Sequence, residues 1–193
     1  INRMLSLGYF EYVEPWYVPK VDLAPNDPSW NSTTQYHLQG NVIGSINLIN
    51  QAVIHKIKCF VFTSSIAVYG KGQLPMREDM VPMPEDPYGI AKYSVEMDLK
   101  NTHEMFGLNY IIFRPHNVYG EYQNLGDRYR NVVGIFMNQL MQGKPLTIFG
   151  DGTQTRAFSY IADVAPCIAE SVNNPKAMKQ ETRFSMRIPT TPN

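Results

Sequence analysis

Apolar residues recur along the chain in two patterns, which together predict alternating strands and helices. Continuous apolar and aromatic runs at residues 57–63 and 108–113 predict two buried strands. Apolar positions spaced three and four residues apart predict helices at 32–55 and 131–141. A further helix at 88–106 is predicted to open directly after Pro87 and to end at Gly107 as its C-cap. Strands that alternate with helices are typical of an α/β fold with a doubly wound parallel sheet.

Two short polar stretches carry the candidate chemistry. Ser64 and Ser65 follow the first predicted strand at its carboxyl end, where ligands bind in open α/β sheets. Tyr88 and Lys92 lie four residues apart at a helix start, so both side chains project from one face. The lysine ammonium should favour the phenolate and lower the pKa of Tyr88. A serine hydroxyl that bridges the phenol and a substrate oxygen would complete an acid–base unit for interconverting an alcohol and a ketone.

The tyrosine–lysine spacing alone is weak evidence, since two exposed helix residues would show it by chance. The Ser-Ser-x-x-Val-Tyr-Gly block that begins at Ser64 favours the chemical interpretation. Together these blocks resemble the short-chain dehydrogenase/reductase superfamily, in its extended branch of nucleotide-sugar epimerases and dehydratases. The resemblance covers residues 35–172 and implies a Rossmann-like sheet, NAD as cofactor, and Ser65, Tyr88 and Lys92 as catalytic residues.

The resemblance also implies a division of the chain. We expect an irregular or replaced segment at 1–30, the remainder of a dinucleotide-binding domain at 31–125, and part of a smaller nucleotide-sugar-binding lobe at 126–193, interleaved with the sheet domain. Such a domain opens with a strand, a Gly-rich turn and a helix that takes the pyrophosphate. Gly8 and Gly40 are the only glycines up to residue 40. We therefore expect a sheet that is incomplete at its N-terminus and a chain that is truncated at both ends.

The family motifs also imply which residues bind the cofactor. An Asn-Val-x-Gly motif begins at Asn41, and an Arg-Pro-His-Asn-x-Tyr-Gly motif follows the second strand. A solvated helix residue is the alternative for Asn41, and a catalytic base is the alternative for His116. By resemblance, the NAD-binding residues are Asn41, Ser64, Tyr88, Lys92, Pro115 and His116.

The substrate side is implied in the same way. The segment at 145–158 resembles a hairpin of the nucleotide-sugar lobe, with a Gly-Asp-Gly turn and Arg156 to pair with diphosphate oxygens. A surface salt bridge is the alternative for Arg156, and Ala157 stands where the family commonly has Asp. The substrate-binding residues implied by resemblance are Ser65, Asn117, Asn131, Val132, Thr147, Phe149 and Arg156.

Composition excludes several other classes. The 193 residues suffice for one sizeable core, and 17 basic residues offset 17 acidic ones, so no attraction to nucleic acid or membrane is expected. We find no apolar run long enough to span a bilayer and no signal peptide. The two cysteines predict neither a disulfide framework nor a metal site, and the cytoplasm is the expected location.

The residues after Ser65 bear on the reaction. Sugar-nucleotide 4,6-dehydratases carry an Asp-Glu pair there and the related decarboxylases a nearby Glu, whereas this chain reads Ile-Ala-Val-Tyr. The pattern is most similar to that of the UDP-glucose 4-epimerases, which implies interconversion of UDP-glucose and UDP-galactose through a 4-keto sugar. Another epimerase or a reductase of the same branch, and an inactive chain without the Gly-rich turn, are the alternatives. By analogy, a homodimer would form through the helices at 40–55 and 88–106.

Overall fold

The computed structural model describes residues 37–71, 76–125, 132–148 and 155–177. The predictions for residues 1–30, Asn131, Phe149 and the turn at 150–152 lie outside these ranges.

Helices and strands alternate as the apolar pattern predicts. In chain order they are a π-helical turn (Leu38–Ile43) that continues into α1 (Gly44–Ile54), β1 (Phe60–Thr63), a 3-10 turn (Ile66–Tyr69), α2 (Pro87–Phe106), β2 (Tyr110–Phe113), β3 (Asn117–Tyr119), α3 (Val132–Met141), β4 (Phe158–Tyr160) and α4 (Ile161–Ser171). Both predicted strands are shorter than expected, because β1 and β2 pair with each other only along four residues each.

The strands pair in parallel, as expected. In the first pair Phe62 lies opposite Ile112, and in the second Val118 lies opposite Ser159. Parallel pairing brings the carboxyl ends of β1 and β2 to the same edge. The residues that directly follow β1 and those that directly follow β2 therefore lie close together at that edge.

The core has two sides because successive strand residues point to opposite faces. Phe62 and Ile112 face α1 and α2, where they pack with Ile49, Val95 and Leu99. On the other face, Ile111 and Phe113 pack with Ala177, with Val61 and Ile168 alongside. The β1–β2 sheet is thus covered on both faces, which is the layered arrangement of an α/β domain.

The long helix α2 is defined at both ends by local chemistry. Asp86 caps it, since Oδ1 accepts a hydrogen bond from the Gly89 amide at 2.7 Å, and Pro87 occupies the first turn. Gly107 ends the helix with φ of 73°, a left-handed conformation that favours glycine, and its amide donates to the His103 carbonyl at 2.8 Å. Gly107 is therefore the C-cap of α2, as predicted.

Replacing Asp86 with alanine should destabilise the protein by about 1 kcal/mol, the usual cost of losing an N-cap acceptor. Asp86→Asn is the matched control, because its side-chain oxygen can still accept from the Gly89 amide. Urea unfolding followed by circular dichroism measures both variants. Equal stability of the alanine variant and the unmodified protein would contradict the assigned cap.

A buried ion pair fastens α2 to the end of β2. Arg114 follows β2, and its Nε donates to Glu96 Oε1 at 2.9 Å, while Nη2 donates to Oε2. The two side chains are only 1% and 6% exposed, and the guanidinium lies 4.7 Å from the centre of the Tyr69 ring. Burial opposes the charge on Arg114, but the hydrogen bonds and charge of Glu96, with a contribution from Tyr69, raise its pKa overall. This pair holds α2 against the carboxyl end of β2, at the edge where β1 also ends.

Candidate active site

Ser65, Tyr88 and Lys92 meet at the carboxyl end of β1. Ser65 caps the 3-10 turn, where its Oγ accepts from the Ala67 amide at 3.2 Å. Its side chain is also near enough to that of Tyr88 for a hydrogen bond to act on the pKa of the phenol. Lys92 Nζ donates to the Thr63 carbonyl at 2.9 Å. The structure therefore brings together the three residues predicted to be catalytic.

Gly89 permits this approach. A Cβ at residue 89 would lie 2.6 Å from the Ala67 carbonyl oxygen, closer than real side chains come. Only glycine therefore lets the first turn of α2 lie directly on the 3-10 turn that follows Ser65. The glycine that follows Tyr88 is thus what places the phenol beside the serine.

The electrostatics of the site differ from the prediction. The pKa of Tyr88 is raised, mainly because burial disfavours the phenolate; the Ser65 hydrogen bond acts in the opposite direction, and the Asp86 charge raises the pKa further. The predicted lowering by Lys92 is wrong for this structure, since the ammonium lies 5.7 Å from the ring centre and donates to Thr63 instead. Burial lowers the pKa of Lys92 itself.

Residues predicted to bind the cofactor line the same edge. Ser64 is 2% exposed, and its Oγ has no hydrogen-bond partner within the described ranges. Its amide donates to the Phe113 carbonyl at 2.7 Å, and the Ile66 amide donates to the Pro115 carbonyl at 3.4 Å. These bonds tie the loop after β1 to the loop after β2. Burial lowers the pKa of His116, which favours a neutral imidazole.

His37 is a site residue that the sequence interpretation missed. Its Nδ1 lies 3.0 Å from the Asn41 side-chain amide nitrogen, and its ring meets the Tyr88 ring edge-on, with centroids 5.5 Å apart. Asn41 is therefore linked to Tyr88 through His37. The available signal was spacing, since His37 and Asn41 are four residues apart on one predicted helix.

The residues predicted for the substrate side fall into two groups. Asn117 begins β3 and donates its amide to the Ala157 carbonyl at 3.1 Å, so it is held next to exposed Arg156, whose Nη1 donates to the Thr155 carbonyl at 2.9 Å. Thr147 is instead held against α3, since its hydroxyl accepts from Gln139 Nε2 at 2.7 Å and its amide donates to Gln139 Oε1 at 3.1 Å. The remaining described candidate, Val132, opens α3.

Within the described ranges, no group of three or more His, Cys, Asp or Glu side chains is placed to hold a metal ion. No helix in those same ranges has the length and apolar character needed to cross a membrane.

Comparison with curated proteins gives several relatives. A putative UDP-glucose 4-epimerase of Methanocaldococcus jannaschii is 38% identical over 135 residues, which are 69% of this chain and 44% of that protein. A UDP-glucose 4-epimerase of Mycolicibacterium smegmatis is 33% identical over 141 residues, or 72% of this chain and 43% of that protein. The chain thus spans less than half the length of these relatives.

Two solved structures with a similar fold are epimerases. The UDP-glucuronic acid 4-epimerase of Bacillus cereus, in complex with NAD, has a TM-score of 0.73 and 31% identity, over 80% of this chain and 49% of that one. The UDP-glucose 4-epimerase of Thermotoga maritima, with UDP-glucose, has a TM-score of 0.67 and 34% identity, over 76% and 49%. These neighbours confirm the Rossmann-type α/β fold. Residues 9–186 match the NAD dependent epimerase/dehydratase family, and the chain belongs to that family.

Proposed function

We propose that this chain carries the acid–base site of an NAD-dependent nucleotide-sugar epimerase, one that interconverts UDP-glucose and UDP-galactose through a 4-keto sugar. The observation that carries the proposal is the meeting of Ser65, Tyr88 and Lys92 at the carboxyl end of β1. The names of the relatives support this reaction class, and several of them are UDP-glucose 4-epimerases.

Tyr88 exchanges the proton of the sugar 4-hydroxyl. Its raised pKa keeps the phenol protonated near neutral pH, and the phenolate that can act as base becomes more populated as pH rises towards that pKa. Ser65 stabilises the phenolate through its hydrogen bond and can bridge to the sugar oxygen. Tyr88 then returns the proton to the 4-oxygen when the epimeric alcohol forms.

The residues at the carboxyl ends of β1 and β2 fit the nicotinamide end of NAD. When bound, NAD would supply the hydride acceptor and donor. The supporting observation is Ser64 Oγ, a buried hydroxyl without a hydrogen-bond partner in the described ranges. Buried polar atoms usually have a partner, so this one is suited to a polar group of a ligand. In this proposal Lys92 binds ribose hydroxyls, Asn41 and Ser64 lie beside the cofactor, and Pro115 and His116 contact the ring.

The substrate diphosphate and uracil are assigned to the residues predicted for the substrate side. A guanidinium binds phosphate oxygens in a bidentate manner, and Arg156 is exposed, so the required donor is accessible. Asn117 lies beside Arg156, because its side-chain amide donates to the carbonyl of Ala157, the next residue. The remaining proposed contacts are Asn131, Val132, Thr147 and Phe149.

The exposed side chains support a homodimer through α1 and α2. Leu48 and Ile54 on α1, and Ile90 and Met97 on α2, are each about half exposed or more. Such apolar positions on two neighbouring helices fit an isologous four-helix contact. Cys59 and Cys167 are free thiols, in line with the predicted cytoplasmic location.

NAD binding tests this proposal, because the sequence contains no Gly-x-Gly-x-x-Gly turn and an inactive chain is therefore the second candidate. We expect calorimetry to show that the chain binds NAD. Lys92→Met should weaken this binding about tenfold or more, because a hydrogen bond from a charged group contributes about that much. Lys58→Met, at the opposite end of β1, is the control and should bind as the unmodified chain does. A folded chain that does not bind NAD would favour the inactive alternative.

A further inference from the structure

His37 joins the first helical segment to the catalytic helix. It directly precedes the π-helical turn Leu38–Ile43, and in that turn the Gly44 amide donates to the Gln39 carbonyl, five residues back. Short π-helical segments are rare and often lie at functional sites. Here the segment places Asn41 against one side of the imidazole and Tyr88 against another.

The contact with Asn41 selects one form of His37. The side-chain nitrogen of Asn41 can only donate, so Nδ1 of His37 must accept, and the neutral ring then carries its proton on Nε2. A protonated ring has no acceptor nitrogen, so the Asn41 amide would have to turn over and accept from Nδ1 through its oxygen. Neutral His37 is therefore the form that the observed arrangement holds in place.

Among the described residues, the charges that act on His37 belong to Asp86, the N-cap of α2, and to Lys92 in its first turns. Burial lowers the pKa of His37 most strongly, the Asp86 carboxylate raises it, and the Lys92 ammonium lowers it. The net effect is a lower pKa, which keeps the ring neutral at physiological pH. Protonation at lower pH would place a second positive charge beside Tyr88 and reverse the direction of the Asn41 bond at the same step.

We propose that His37 is a positioning residue for Tyr88. Held at Nδ1 by Asn41, its neutral ring packs edge-on against the phenol and fixes the orientation in which the hydroxyl meets Ser65. The catalytic consequence of this role rests on the proposed epimerase function, whereas the coupling of His37 to the phenol does not.

Fluorine NMR of the chain labelled with 3-fluorotyrosine tests this coupling without NAD or turnover. The chain has 12 tyrosines, and Tyr88→Phe identifies the Tyr88 resonance by its loss. We expect that resonance to shift as pH falls, with the same midpoint as the His37 ring proton. His37→Phe keeps a ring but no titrating nitrogen, so the shift should disappear. His55→Phe, at an exposed helix end, should leave it unchanged.

A Tyr88 resonance that does not follow His37, or a shift that persists in His37→Phe, would overturn the proposal. Asn41→Ala gives a second test with the imidazole intact, since loss of the amide donor should raise the His37 midpoint; an unchanged midpoint would overturn the Asn41 link.

In turnover, His37→Phe should lower kcat by about tenfold to a hundredfold with KM unchanged, as expected for a misplaced reactive group. If the unmodified chain shows no turnover, the epimerase proposal fails, and the fluorine result alone decides the role of His37.

Discussion

Tyr88→Phe is expected to lower epimerase turnover by about a thousandfold, within the 10²–10⁴ range of general acid–base catalysis. The substitution removes one oxygen and keeps the aromatic ring that contacts His37 and Lys92. Because the lost hydroxyl acts on the proton of the sugar 4-hydroxyl, kcat should fall while affinity for UDP-glucose stays within a few fold. Steady-state kinetics and calorimetry with UDP-glucose measure the two effects.

Tyr93→Phe provides the matched control, since it makes the same change on the next turn of α2, at a residue outside the proposed acid–base unit. It should retain nearly full turnover. Retained activity in Tyr88→Phe, or an equal loss in both variants, would remove Tyr88 from the mechanism.

The second large effect is on stability. Glu96→Gln should destabilise the protein by about 3–5 kcal/mol, because it leaves the buried Arg114 guanidinium without its counter-charge. Glu104→Gln, at an exposed position of the same helix, should change the free energy of unfolding by less than about 0.5 kcal/mol. Urea denaturation measures both.

The paired replacement Glu96→Leu with Arg114→Met separates charge loss from packing loss. Removing both charges avoids an unpaired buried ion, so this variant should be more stable than Glu96→Gln. If the single and double variants are equally destabilised, the ion pair is not the source of the effect.

The sequence predicted the features that depend on local chemistry. Gly107 ends α2 because a left-handed residue is required there, and the apolar runs placed β1 and β2 at the right positions. The meeting of Ser65 with Tyr88 also followed from motifs, because the carboxyl end of a parallel strand and the start of the next helix lie at one edge.

Features that depend on packing could not be predicted in this way. The pKa of Tyr88 is raised mainly by burial of the phenol, and that burial depends on packing between elements that the sequence does not show. The ion pair between Glu96 and Arg114 joins residues 18 positions apart, and neither differs in the sequence from an exposed charge. His37 likewise becomes a site residue only through its contact with Tyr88 on another helix.

Conversion of UDP-galactose is the measurement that tests the central claim most directly. The purified chain, with NAD present, is incubated with UDP-galactose, and proton NMR follows the anomeric signals of both sugars over time. The account predicts that UDP-glucose appears and approaches an equilibrium mixture from either direction, and that Tyr88→Phe abolishes the conversion. A folded chain that binds both NAD and UDP-galactose but yields no UDP-glucose would contradict it.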